Sequence, residues 1–224
     1  MMDKDAVRSQ IERIGIIPAV RVSTAADARF AAETVSVAGI PIVEITMTVP
    51  GALAVIADLV SAMPDLVVGA GTVLDVETAR QCVEAGAGFV TSPGLDVGVV
   101  EYTAKQGVLA LPGVLTPTDV MAARNAHADF VKVFPCGAVG GPAYVRALSA
   151  PFPHVRIVAA GGVNQQTAAE FIAAGAAAVG VGAELIPRKA IHARDRRWIT
   201  ELAHRFLNIV EEARGAARED DHRR

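Results

Sequence analysis

Phe130-Val131-Lys132-Val133-Phe134-Pro135 is an apolar, β-branched run with one lysine at its centre and a proline at its end. A run of this length and composition reads as a buried strand. Its lysine is anomalous, because an ammonium in apolar surroundings is costly unless it is paired or neutralised. The chain has four lysines against seventeen arginines, and Lys4, Lys105 and Lys189 fall in polar or helical surroundings. A desolvated lysine can lose its proton and attack a carbonyl. The run therefore points to an enzyme.

Working outward from it, similar short apolar runs recur at residues 16–21, 42–46, 66–72, 88–92, 108–112, 129–134, 155–161 and 177–182. Ala-rich windows with helical patterning follow them, near 25–38, 51–62, 76–85, 96–106, 117–126, 142–149, 165–174 and 192–213. Thr24, Asp75, Asp96 and Thr116 stand where helix N-caps are expected, and Gly39, Gly86, Gly107 and Gly175 where helices should end. Strands this apolar are covered on both faces, which suits a parallel sheet with helices outside. Eight strand–helix units predict an α/β fold, a single (β/α)8 TIM barrel spanning residues 1–224. A short N-terminal helix is expected near 3–13 and a C-terminal helix near 192–213. The alternative is an open doubly wound sheet.

In such barrels the chemistry gathers at the C-terminal ends of the strands. That rule directs attention to Arg21, Glu44, Thr72, Pro93, Lys132, Phe134, Gly161, Gly162 and Gly182. Glu44 is the second anomaly, a carboxylate in the apolar run Ile42-Val43-Glu44-Ile45-Thr46. A barrel can point it and Lys132 into one pocket. A lysine amine in water is almost wholly protonated near neutral pH, so a nucleophilic role calls for burial and a neighbouring proton carrier. The competing readings are a buried structural ion pair and a glutamate that caps a neighbouring loop. Arg21 is a candidate carboxylate clamp, the alternative being a strand-end arginine that snorkels to water. Gly161-Gly162 and Gly182 let backbone N–H groups approach a phosphate in the loops after the seventh and eighth strands, or they simply make turns.

Composition bounds the partners. The 224 residues are 52% hydrophobic and 20% charged, with a formal net charge of −3, which leaves no electrostatic footprint for nucleic acid. No stretch approaches the length of a membrane span, and the first residues carry no signal core. Two cysteines, Cys82 and Cys136, make no disulfide framework. A cytoplasmic location is expected. The five histidines (His127, His154, His192, His204 and His222) fall in loops or helices without ligand spacing, so no metal site is expected. Cys136 is expected to be a plain loop residue. The stripe Trp198, Ile199, Leu202, Phe206 and Ile209 is expected to face the barrel.

Six segments in register carry a resemblance. They are Glu44-Ile45-Thr46-Met47-Thr48, Gly69-Ala70-Gly71-Thr72-Val73, Ser92-Pro93-Gly94, Pro112-Gly113-Val114, Val131 to Pro135, and Ala160-Gly161-Gly162-Val163. Together they resemble the 2-keto-3-deoxy-6-phosphogluconate (KDPG) aldolase / 4-hydroxy-2-oxoglutarate aldolase family across residues 16–185. The resemblance implies class I chemistry with no cofactor and no metal, a small 2-oxo acid as substrate, and a homotrimer. It implies Lys132 as the Schiff-base residue, Glu44 as general acid/base, Thr72 as a carboxylate ligand, and Pro93 with Phe134 as pocket walls. Thr48, Ala160 and Ala183 depart from the common pattern, which leaves open whether the substrate is phosphorylated. Two other readings compete: a phosphate-binding barrel isomerase, epimerase or synthase, and a non-catalytic ligand-binding barrel.

Overall fold

The computed structural model describes residues 3–221, with side chains described through residue 216. Its strands are β1 (Ile16–Val20), β2 (Ile42–Thr46), β3 (Val67–Gly71), β4 (Phe89–Thr91), β5 (Leu109–Leu111), β6 (Gly113–Val114), β7 (Val131–Val133), β8 (Ile157–Ala160) and β9 (Ala176–Val181). All pair in parallel, in the order β5-β4-β3-β2-β1-β9-β8-β7-β6. β5 and β6 are the two halves of the fifth expected strand, parted at Pro112, which has no N–H to give to a ladder. One half pairs with β4 and the other with β7, and Lys132 N donates to Pro112 O (2.8 Å). The two ends of the sheet thus meet on one continuous segment. The barrel is closed, as expected, and the open-sheet alternative is excluded.

The helices are α1 (Lys4–Ile14), α2 (Ala25–Val37), α3 (Ala52–Ala62), α4 (Val76–Glu84), α5 (Val97–Lys105), α6 (Pro117–Asn125), α7 (Gly141–Ser149), α8 (Ala168–Ala173), α9 (Arg188–His192) and α10 (Arg196–Asp221). A 3-10 turn at Gly137–Val139 precedes α7. The expected caps hold: Thr24, Asp75, Asp96 and Thr116 accept from the N–H groups of Asp27, Thr78, Val99 and Asp119. Asp119 returns a bond to the Thr116 N–H, completing a capping box.

The last helix differs from the sequence expectation. Residues 192–213 are not one helix, because Arg194 takes a left-handed backbone (φ +52°) that ends α9. Asp195 then starts α10 by accepting from Trp198 N (2.9 Å). The inward stripe of α10 is Ile199, Leu202, Ala203, Phe206 and Val210. Trp198, in the first turn, is 40% exposed, and Ile209 is half-buried. The basic residues flanking the break are paired: Arg194 with Asp27 (3.0 Å) and Arg196 with Glu33 (3.1 Å), both guanidiniums lying over the Phe30 ring.

The end of the barrel away from the site is sealed by α1. Val7, Ile11 and Ile14 form its buried face, while Lys4 and Arg8 both bind Asp129 (2.9 Å each) at the start of β7. Asp129 also accepts from Ala110 N (3.2 Å). Phe89 fills the barrel interior where Gly69 leaves room, since a side chain at residue 69 would collide with its ring. That floor confines any reaction to the opposite mouth.

Candidate active site

Register decides which side chains share the interior. Ala19 is level with Glu44, and Glu44 with Gly69. A side chain at Gly71 would strike the Glu44 carboxylate, so Glu44 points inward beneath a space that glycine keeps empty. On the opposite wall Lys132 is level with Gly113 and Val158. Its neighbours Val131 and Val133 are buried on the other face of the strand. Alternation along each strand makes Lys132 the one inward residue of β7.

The two anomalies meet. Lys132 Nζ lies 3.5 Å from Glu44 Oε2 and 3.4 Å from Thr91 Oγ1. The Lys132 side chain is 13% exposed and that of Glu44 5%. The pair is therefore nearly dry and held by a long, direct contact. Such a long contact is a weak structural tie, because burying two charges costs more than a loose pairing returns. Phe134 stands at the rim with its ring centroid 5.7 Å from Nζ and is 37% exposed.

A second group forms along the rim of β1, β2 and β3. Thr46 Oγ1 lies 3.0 Å from Val20 O and 2.8 Å from Thr48 Oγ1. Arg21 reaches Thr48 (3.5 Å) and Thr72 (3.3 Å) through its two terminal nitrogens. Thr72 holds a left-handed backbone at φ +61°, rare and strained for a β-branched residue. Its neighbours enforce it: Met47 N donates to Gly71 O (2.7 Å) and Val73 N to Thr91 O (3.1 Å). The result is a guanidinium and two hydroxyls at the mouth, and among the described residues no side-chain carboxylate pairs with the guanidinium.

Pro93 is exposed, and its backbone lies where a side chain at residue 113 would sit. Ser92 holds the turn by donating to Gly94 O (2.6 Å). Gly161 and Gly162, at φ +81° and +87°, pack against Pro135 and Gly137 of the preceding loop. With Gly182 they line a cavity of about 290 Å³ at the ends of β8 and β9. The sequence-predicted residues thus fall into three groups around one mouth: Lys132–Glu44 with Phe134, Arg21–Thr72, and the late glycines. Pro93 is set apart on the β4 loop.

Thr91 was missed by sequence reading. The signal available was alternation, because Phe89 and Thr91 share a face. Cys136 is fully buried behind the site, with burial pushing its thiol up to about 11. The Cys82 thiol is raised to about 12 by burial and by the nearby Asp75. Neither is a ready nucleophile at neutral pH. Among the described residues, which do not include His222, no group of three His, Cys, Asp or Glu side chains is arranged to hold a metal ion. Among the same residues no helix is long and apolar enough to cross a membrane.

Barrel and mouth together define a (β/α)8 enzyme. The chain belongs to the KDPG and KHG aldolase family, whose model matches residues 7–202. It is accordingly an aldolase, a carbon–carbon lyase. It is 35% identical over 200 residues to the 2-dehydro-3-deoxy-phosphogluconate aldolase of Treponema pallidum (strain Nichols), covering 89% of this chain and 95% of that protein. A KDPG aldolase from Legionella pneumophila, solved with pyruvate captured as a covalent carbinolamine intermediate, superposes with a TM-score of 0.82. It is 30% identical, and the match covers 87% of this chain and 95% of that one. A cube-shaped protein cage designed by fusing symmetric oligomeric domains matches with a TM-score of 0.86 at 27% identity, over 94% of this chain and 77% of that one.

Proposed function

We propose that Lys132 forms a Schiff base with the C2 carbonyl of a 4-hydroxy-2-oxo acid, and that Glu44 moves the protons. The observation that carries this is the 3.5 Å pairing of an amine and a carboxylate in a nearly dry barrel mouth. The neutral amine adds to C2, and the carbinolamine loses water to give a protonated imine. Glu44, directly or through a water, takes the C4 hydroxyl proton. The C3–C4 bond breaks, its electron pair passes to the imine nitrogen, and an aldehyde leaves. The remaining enamine is protonated at C3 and hydrolysed to pyruvate, which frees Lys132. Every electron stays within substrate and protein, so the sequence needs no redox partner, metal or cofactor.

Arg21 and Thr72 hold the pyruvate carboxylate. A guanidinium offers two parallel donors to a carboxylate and so fixes its plane as well as its position. Thr91 steadies the amine. Phe134 and Pro93 wall the mouth and limit water. The loop at Gly161, Gly162 and Gly182 receives the far end of the substrate. The substrates are KDPG, giving pyruvate and glyceraldehyde 3-phosphate, and 4-hydroxy-2-oxoglutarate, giving pyruvate and glyoxylate.

The enzyme is cytoplasmic and works as a homotrimer. Exposed Leu74, Val76 and Val97 cluster where α4 and α5 begin, and a small apolar patch of this kind suits a subunit contact. Light scattering on the purified protein at micromolar concentration tests that, with a trimer mass expected.

The function is tested by following pyruvate release from each substrate. Lys132→Ala is expected to lower kcat/KM by about 10⁴-fold or more, the scale of removing a covalent nucleophile. Normal cleavage by that variant would sink the mechanism.

A further inference from the structure

Two cavities adjoin at the ends of β8, β9 and β1, and they differ in charge. The glycine-lined one contains no cationic side chain and has one carboxylate on its wall, Glu184. The other, a cleft of about 470 Å³, is lined by Arg21, Ser23, Arg188 and His192 over an apolar floor that includes Ile186 and Ile191. Gly182 and Ala183 belong to both walls.

The cleft opens on the reaction side of the barrel. Ile17 is level with Gly180, and Ala19 with Glu44, so alternation puts Ile17, Ala19 and Arg21 on the inward face of β1. Ala19 and Arg21 line the cleft, which makes it a lateral extension of the mouth. Arg21, just after β1, and Arg188, on α9, both line it.

Neither guanidinium is spoken for by a carboxylate. Arg194 and Arg196, a few residues on, are paired with Asp27 and Glu33, whereas Arg21 and Arg188 form no ion pair among the described residues. Two unpaired cations in a half-enclosed cleft with an apolar floor attract an anion more strongly than the same charges in open water. Residues 160 and 183, at the ends of β8 and β9, are alanine and offer no hydroxyl to an anion.

The geometry points to Arg188 as the residue that reads the far end of the substrate: it binds a terminal acidic group, phosphate or carboxylate, lodged over Gly182–Ala183. This rests on the imine reading above and adds what selects among 2-oxo acids. The near carboxylate is held by Arg21, and the far anion by Arg188 with the backbone N–H groups of the shared wall. Arg188 touches no reacting atom, so it governs KM and leaves the chemical step alone.

The experiment compares wild type, Arg188→Ala and Arg188→Lys on three 4-hydroxy-2-oxo acids with a phosphorylated, a carboxylate and a neutral alkyl tail. Pyruvate trapping by borohydride is run beside each. Arg188→Ala should raise KM by about 10- to 100-fold for an acidic tail, the scale of one charge-assisted hydrogen-bonded contact. For the neutral tail, kcat, KM and the pyruvate adduct should stay unchanged. Arg188→Lys should recover part of the loss, and the salt dependence of KM should be shallower in Arg188→Ala. Whichever acidic tail shows the larger loss is the group bound. Equal loss on all three tails, or no loss on either acidic tail, overturns the proposal. A wild type that gives no pyruvate adduct overturns the imine reading, and the proposal with it.

Discussion

The near and far sides of the barrel mouth recognise matter by different means. On the near side, side chains on or just after β1, β2, β3 and β7 form two hydrogen-bonded groups, Lys132 with Glu44 and Arg21 with Thr72. On the far side, the loops after β8 and β9 contribute backbone and empty space at Gly161, Gly162 and Gly182. Chemistry needs a charged atom at a fixed point, and only a packed side chain supplies that. Holding the far end of a substrate asks for less, and under the proposed assignment that task falls to glycine loops and Arg188. On the proposed reading, one side serves rate and the other choice.

Substitutions on the near side should therefore cost activity, and those on the far side should cost selectivity or stability. Glu44→Gln keeps the volume but removes the proton carrier, so kcat should fall about 10²- to 10⁴-fold while the circular dichroism spectrum stays native. A full-rate Glu44→Gln enzyme would move the proton chemistry elsewhere. Arg21→Ala removes the carboxylate clamp, and KM for any 2-oxo acid should rise about 10- to 100-fold. Steady-state kinetics on acidic and neutral tails checks this, because a near-side residue must affect both alike. Gly162→Ala forces a methyl onto a φ of +87° beside Gly137. It should cost about 1–3 kcal/mol of stability, seen as an earlier thermal transition, with activity lost less than in either near-side variant. If Gly162→Ala instead cut kcat as deeply as Glu44→Gln, the division between the two sides would be wrong.

The same division explains what could be read from the sequence. Lys132 and Glu44 stood out because a charge inside an apolar strand contradicts its surroundings, and strand alternation then aimed both inward. The eight-fold rhythm was legible for a similar reason: buried parallel strands are apolar along their whole length, and their helices carry caps. Thr91 was missed although alternation puts it on the face of Phe89, since a threonine suits any strand and only its 3.4 Å approach to Lys132 singles it out. The split of the fifth strand at Pro112 follows from a missing N–H, but that both halves remain in one closed sheet is a property of pairing. The break before α10 depends on Arg194 adopting a left-handed backbone, which no local pattern announces. Arg188 was hidden among many arginines, and its distinction is its place on the wall of the cleft that Arg21 also lines. Gly161 and Gly162 remained ambiguous because a turn, a close backbone approach and an anion site all ask for glycine, and here the close approach to Pro135 and Gly137 is present.

In the proposed reaction everything turns on the Lys132 amine, set against Glu44, becoming an imine. That step is tested most directly by incubating the protein with pyruvate and borohydride, digesting it, and locating the reduced adduct by mass spectrometry. A single modified lysine is expected at position 132, abolished in Lys132→Ala and formed more slowly in Glu44→Gln. No adduct in the wild type, or an adduct on Lys4, Lys105 or Lys189 in place of Lys132, would contradict it.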